Sequence, residues 1–411
     1  MTIDANTEAE NLFLQVLLTP EGRADPYPLY RRMREVAPVF RTVMGPIVVT
    51  SYETCLAVLR DPTLGRGTGM PSEDPVGVLG GTGRRAEFFE RSRHNMLLAD
   101  PPDHTRLRHL VSRAFTPRRV EALVPAVRSL VDDLLDTMAG QGQVDVMTTL
   151  ALPLPMAVIG ELVGVPAADR DAFQPLVRAA AKGIEPVLSE QETDEAIAAI
   201  EELGTYFSDL LDDRRRRPAD DLLTGLAQAR ERDDRLTDEE VVSTAILLFA
   251  AGFETTTNLL GNGLLALLRH PDEMARWRAD PSLGSTAVDE LLRWDSPVQL
   301  NLRTALEPAQ LDGEPLAVGQ RIIILQGAAN HDPDRFTEPD TLDLGRADNV
   351  HLSFGWGLHH CIGAALARME ADIALASLLQ RFPSIELLDD DPQWRASFTL
   401  RGLLALPVNV G

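Results

Sequence analysis

Residues 237–270 read TDEEVVSTAILLFAAGFETTTNLLGNGLLALLRH, and this run limits the fold of the 411-residue chain more than any other. It opens on Thr237 with Glu240 three positions later, a capping box that satisfies the orphan donors of a helix start. It stops at His270-Pro271, where proline cannot continue the hydrogen-bond ladder. Between them lies about 50 Å of helix at 1.5 Å per residue. Its middle is apolar nearly all round, and such a helix has to be surrounded by other elements. The fold is therefore expected to be built around one long central helix.

The remaining patterns agree. Leu123–Met138 and Gly363–Phe382 repeat apolar residues at helical spacing. Strand-like runs are short and expected at the periphery: Val43–Thr50, a hairpin turning at Gly45-Pro46, and Arg321–Gln326. The expectation is one domain over residues 1–411, mainly α with small β-sheets. A charged run, Asp212–Asp221 (DDRRRRPADD), reads as a solvated helix end and turn.

Charge and cysteine usage exclude several classes. The net charge of −23 argues against a nucleic-acid partner, whose phosphates need a basic face. The longest apolar stretch, Ala245–Phe253, is far short of a bilayer span of about 20 residues. The acidic start MTIDANTEAENLF is no signal peptide. Two cysteines, Cys55 and Cys361, make no disulfide framework, so a cytoplasmic location is expected.

Cys361 stands in FGWGLHHCIG, residues 354–363. Gly355, Gly357 and Gly363 permit positive φ and close backbone approach, so several N–H groups can face one sulfur. The helix that follows points its positive end at the same place. That environment suits a thiolate ligand of haem iron. On the loop alone two other readings stand: a small buried hydrophobe, or a zinc site with His351, His359 and His360, which lacks the paired spacing of structural zinc.

In the central helix, Ala251 and Thr255 lie four apart on one face, a small residue and a hydroxyl that a flat ligand can approach. Glu254 beside them is an acid in an apolar helix, costly unless used or paired. Thr255 can equally bond back to the carbonyl of Ala251. Glu290 and Arg293 form an i, i+3 pair flanked by Leu291, Leu292 and Trp294. His104 and Arg108, i and i+4 just inside a helix announced by Pro101-Pro102, can clamp an anion together. Gly81–Ala86 (GTGRRA) fits a loose dinucleotide fingerprint but follows no strand-like run.

FGWGLHHCIG resembles the haem-thiolate signature of the cytochrome P-450 family, and the similarity extends in order along nearly the whole chain. AGFETT, residues 251–256, is similar to the family's acid–alcohol motif. The resemblance implies a soluble bacterial haem-thiolate monooxygenase that uses haem b, iron protoporphyrin IX, with O2 as co-substrate. Cys361 would be the axial ligand, within a loop that includes Phe354 and Gly355. Glu254 and Thr255 would deliver protons, and Ala251 would leave room over the haem. His104, Arg108, Arg303 and His359 would hold the propionates. Glu290, Arg293 and Arg346 would form a structural ion-pair group, and His331–Phe336 (HDPDRF) a structural loop. The substrate pocket would include Met96, Leu97, Leu247, Ala250, Val298, Gln299, Asn301 and Leu400, with residues 172–198 as a mobile lid. Such a lining suits a medium or large hydrophobic molecule such as a polyketide, terpenoid, steroid or fatty acid. No flavin or iron–sulfur segment is evident. NAD(P)H would therefore act only indirectly, through a separate ferredoxin and ferredoxin reductase docking on a monomer. Arg113 and Arg368 are candidates for that docking face. Two alternatives remain: a peroxide-driven haem-thiolate enzyme, against which Glu254-Thr255 argues, and a haem-binding sensor without catalysis.

Overall fold

The computed structural model describes residues 4–67, 83–92, 94–231 and 234–411. The first two residues of GTGRRA lie outside the described residues; the rest of it opens the helix Gly83–Arg91.

The central helix forms as its capping box dictates. It spans Asp238–Arg269, with the Thr237 side chain accepting from Glu240 N and the Glu240 side chain from Thr237 N. It is buried almost continuously from Phe253 to Leu267. Glycines let neighbours approach closely. A Cβ on Gly252 would stand 2.9 Å from Ile159 of the helix Pro153–Val163. One on Gly261 would stand 2.6 Å from Met147. The helices Glu190–Arg216 and Ala364–Arg381 complete the surround, and one large apolar cluster runs through all of them.

A five-stranded sheet lies in the order Val39–Arg41, Ile47–Val49, Arg321–Leu325, Leu300–Ala305, Leu64–Gly65. Ile47–Val49 and Arg321–Leu325 run parallel, and the other pairs are antiparallel. The hairpin turn at Gly45-Pro46 is as expected, but the peripheral reading of Arg321–Leu325 is not. Every residue of that strand is buried. Ile322 and Ile324 pack into one apolar cluster, Ile323 and Leu325 into another. An unbroken apolar run is the pattern of a strand covered on both faces. A smaller sheet joins Ile385–Leu387, Pro407–Val410 and Gln143–Asp145.

The charged run at Asp212–Asp221 is only partly solvated. Arg214 pairs with Asp221 and donates to Gly164 O at 2.7 Å, while the buried Asp221 caps the next helix by accepting from Thr224 N at 2.8 Å. No single described helix is long and apolar enough to cross a membrane.

The Glu290 group is more deeply buried than its flanks suggest. Glu290 and Arg293 are both 0% exposed and joined by two bonds of 2.8 Å. Arg346 Nε adds contacts of 3.1 and 3.2 Å to the same carboxylate, and Asn349 and the Asp343 amide complete its shell. Arg293 Nη1 also donates to Asn330 O and Pro339 O. A buried charge is tolerated when every lone pair and proton is used. The group ties the helix Gly284–Trp294 to the segment leading into the cysteine loop. His331–Phe336 is structural as well: His331 bonds Asp340 and Trp294 O, and Asp332 accepts from Tyr52 N.

Candidate active site

The cysteine loop folds as its glycines allow. Gly355 and Gly357 take φ of 66° and 69°, a left-handed region that disfavours side chains. A Cβ on Gly357 would also stand 2.6 Å from Leu59 O. Cys361 N donates to Phe354 O at 2.9 Å, closing the loop. The helix Ala364–Arg381 begins three residues later. The Cys361 side chain is solvent-accessible although protein mass surrounds it on most sides. Burial raises the thiol pKa, while the Gly363 amide, Arg108 and Arg368 pull it down. The sulfur thus has an amide and two guanidinium charges ready to stabilise its anion.

Beside it lies a group of buried basic side chains, two arginines and two histidines, with little to balance them. His359, from the turn Gly357–His359, has its ring 4.2 Å from that of His104. His104 is 1% exposed, and neither of its ring nitrogens has a hydrogen-bond partner. Burial, then Arg108 and Arg66, push its pKa down to about 4. Burial also lowers His359, with Arg66 and Arg303 adding to the effect. Arg303 is 2% exposed and lowered to about 10 by burial. Arg66 is lowered well below its usual range by burial and by Arg303, and its buried Nε has no partner. Asn301 Oδ1 accepts from both guanidiniums at 2.9 Å. Asp100 is the carboxylate that acts on this group, and it is spent on the amides of Arg66 and Gly67. Mutually repelling buried donors are costly unless an anion joins them. Unpartnered imidazole nitrogens and a free guanidinium Nε suit a ligand with paired carboxylates.

The other expected residues are placed as follows. Arg108 Nη2 donates to His360 O at 2.7 Å, so it braces the cysteine loop. Asn301, half-buried, accepts from Arg66 and Arg303. Gln299 is buried and bonded to Tyr27, Tyr30 and Ser296 O. Arg368 is committed to Asp289 at 2.7 Å and stacks over Phe354 at 4.5 Å. Val298 and Leu400 meet in an isolated β-bridge. Met96 is buried and Leu97 half-buried, while Leu247 and Ala250 pack partly against the main core. Among the described residues no three His, Cys, Asp or Glu side chains converge as metal ligands.

On the central helix Thr255 Oγ1 donates to Ala251 O at 2.6 Å, and Ala251 itself is exposed. Glu254 is 5% exposed and paired with Arg395. Arg66 and Arg395 are the residues that sequence reasoning missed. Each is a lone arginine in a loop, with no spacing to mark it.

A helix-rich body thus carries a glycine-turned cysteine loop beside a buried group of basic side chains that lack acceptors. A profile described as Cytochrome P450 matches residues 184–281 and 283–409. The chain is 42% identical over 394 residues to "Cytochrome P450 107B1" of Saccharopolyspora erythraea, covering 94% of this chain and 95% of that protein. It is 42% identical over 399 residues to "Cytochrome P450 monooxygenase PikC" of Streptomyces venezuelae, covering 94% and 91%. The structure of P450BioI in complex with hexadec-9Z-enoic acid ligated acyl carrier protein superposes with a TM-score of 0.89 at 37% identity, over 95% of this chain and 99% of that one. The chain belongs to the cytochrome P450 family, close to its CYP107 bacterial members, and is a monooxygenase. The family implies a haem-thiolate centre.

Proposed function

We propose that Cys361 would supply the thiolate ligand of haem b, and that the enzyme inserts one atom of O2 into a medium or large hydrophobic substrate of the polyketide class. The observation that carries the cofactor assignment is the buried basic group of Arg66, His104, Arg303 and His359, of which His359 stands two residues from Cys361 on the same loop. These four hold the two propionates, and Arg108 fixes the loop through His360 O. Bound haem supplies the oxygen-activating chemistry, and the protein sets ligand, pocket and proton supply. Ala251 leaves space on the exposed side of the central helix, and Thr255 Oγ1, one turn on, moves a proton toward that space. Glu254, next in line, takes up and passes on the proton. The polyketide class is supported by relatives named "Polyketide biosynthesis cytochrome P450 PksS" and "6-deoxyerythronolide B hydroxylase", 38% identical over 410 and 397 residues. Electrons come from a separate ferredoxin and its reductase, in the cytoplasm.

The test is spectroscopic. The reduced carbon-monoxide adduct should show the red-shifted Soret band of a thiolate ligand, and Cys361→His should lose that band while keeping haem. A folded protein that takes up no haem, or an unshifted band in the unmodified protein, overturns the assignment. Macrolactones and fatty acids are then screened for displacement of the ferric Soret band.

A further inference from the structure

Residues 395–399 run as a strap between the central helix and the connector that joins the helices Ala167–Lys182 and Glu190–Arg216. At one end Arg395 Nη1 pairs with Glu254 Oε1; the two side chains are 11% and 6% accessible. Arg395 is itself aimed by Nε, which donates to Leu403 O at 3.2 Å, and by its amide, which donates to Gly402 O at 3.0 Å. The second carboxylate oxygen, Glu254 Oε2, is buried without a partner. Burial lowers the Arg395 pKa, and Arg178 of the Ala167–Lys182 helix, whose buried Nε is unpartnered, lowers it further.

At the other end the connector carries Glu185, 7% exposed. Its carboxylate accepts from Ser397 Oγ, from Phe398 N at 3.0 Å and from Thr399 N at 3.1 Å. Three donors converging on one acidic group fasten the strap firmly. The connector is pinned in turn from outside. Arg85 donates to Glu185 O at 2.8 Å, and a Cβ on Gly183 would lie 2.0 Å from the Phe88 ring.

We propose that Arg395 is the positioning residue that aims and keeps ionised the acid Glu254, and that Glu185, by fastening residues 397–399, holds Arg395 in reach. This rests on the reading of Glu254 as the proton-handling acid. A buried carboxylate needs a cation to stay ionised, and Arg395 is the cation that meets Glu254, at Oε1. Its backbone belongs to a strap with a single carboxylate anchor on the connector. Displacing the connector therefore loosens Arg395 and frees Glu254 to take up a proton.

Infrared spectra of the haem-loaded protein at neutral pH test this without substrate or electron donor. Arg395→Gln should bring up a protonated-carboxyl band absent from the parent, and Glu254→Gln in the same background should remove it. Arg395→Lys should restore the parent spectrum. Glu185→Ala should speed amide hydrogen exchange at Phe398 and Thr399 at least about tenfold, the loss of roughly one hydrogen bond's stabilisation, and should bring up part of the same band. If Arg395→Gln does not accumulate in folded form, Glu185→Ala carries the test alone. No new carboxyl band in Arg395→Gln, or faster exchange in Glu185→Ala with no band, overturns the proposal. Either result marks the pair as a packing latch. The reduced carbon-monoxide spectrum of the same samples reports separately on the haem-thiolate assignment.

Discussion

At Thr255 the residue-level question is what a hydroxyl bonded to its own helix does for catalysis. The 2.6 Å bond to Ala251 O is the local reading of any threonine in a helix. The same bond parks the hydroxyl one turn from the exposed Ala251. Thr255→Ala should leave ligand-induced Soret shifts intact while lowering product per NAD(P)H by about tenfold, with hydrogen peroxide making up the balance. That is less than the 10²–10⁴ of a positioned acid or base, because ordered water substitutes in part. Thr255→Ser should keep most of the coupling; equal coupling in Thr255→Ala and the parent would reduce the residue to a helix bond. His104 gives a pH prediction. Its folded pKa of about 4 lies below the ordinary 6.5. Below pH 6.5 the unfolded chain therefore binds more protons than the folded one. The stability contributed by neutral His104 is present above pH 6.5 and lost as pH falls toward 4. In haem-free protein Tm should fall across that window, and His104→Gln should flatten the fall. A Tm that is level between pH 7 and 4.5 in the parent would contradict the buried, neutral His104.

At the scale of elements, the cysteine loop is where the sequence was most informative. Gly355 and Gly357 adopt the positive φ that their spacing around Cys361 suggests. Gly357 is the more constrained, since Leu59 O leaves no room for a Cβ. Gly357→Ala should therefore lower the haem-loaded, thiolate-type fraction and cost about 2 kcal/mol or more of stability. Gly45→Ala, at φ 104° with nothing within 4 Å, supplies a control for backbone strain alone. Similar losses in the two variants would show that crowding against Leu59 is unimportant. The central helix was legible from its capping box and its apolar girth, and Glu290–Arg293 from its i, i+3 spacing. Arg66, Glu185 and Arg395 were not legible. A single charge in a loop carries no period, and its partner is set by tertiary placement alone. The strand Arg321–Leu325 was legible as a strand but misplaced, because an apolar run of four, Ile322–Leu325, does not say how many faces are covered.

On the scale of the whole molecule, the chain termini are locked to the core by one arginine. Arg401, 7% exposed, pairs with Asp295 at 2.7 Å and stacks over Trp394 at 3.5 Å. It also donates to the carbonyls of Arg23 and Ala24 near the start of the chain. Arg401→Ala would leave Asp295 buried without its cation. Breaking such a pair costs about 3–5 kcal/mol. Denaturant unfolding of haem-loaded protein should show that loss as a lower midpoint with little change in slope. A midpoint within 0.5 kcal/mol of the parent, on the order of a surface change, would mean that the N-terminal segment is held by its apolar cluster alone.

The parallel pairing of Ile47–Val49 with Arg321–Leu325 also fixes when the molecule can be finished. Gly45 and Gln320, bonded beside that junction, are 275 residues apart. At the roughly 5–20 residues per second of synthesis, the first hairpin emerges from the ribosome and waits on the order of 15–55 seconds for its partner strand. Throughout that interval the edge of Ile47–Val49 that receives the late strand is unpaired. The sheet is thus a late event in the life of each new chain, and the early hairpin is a natural client for chaperones that shield unfinished edges.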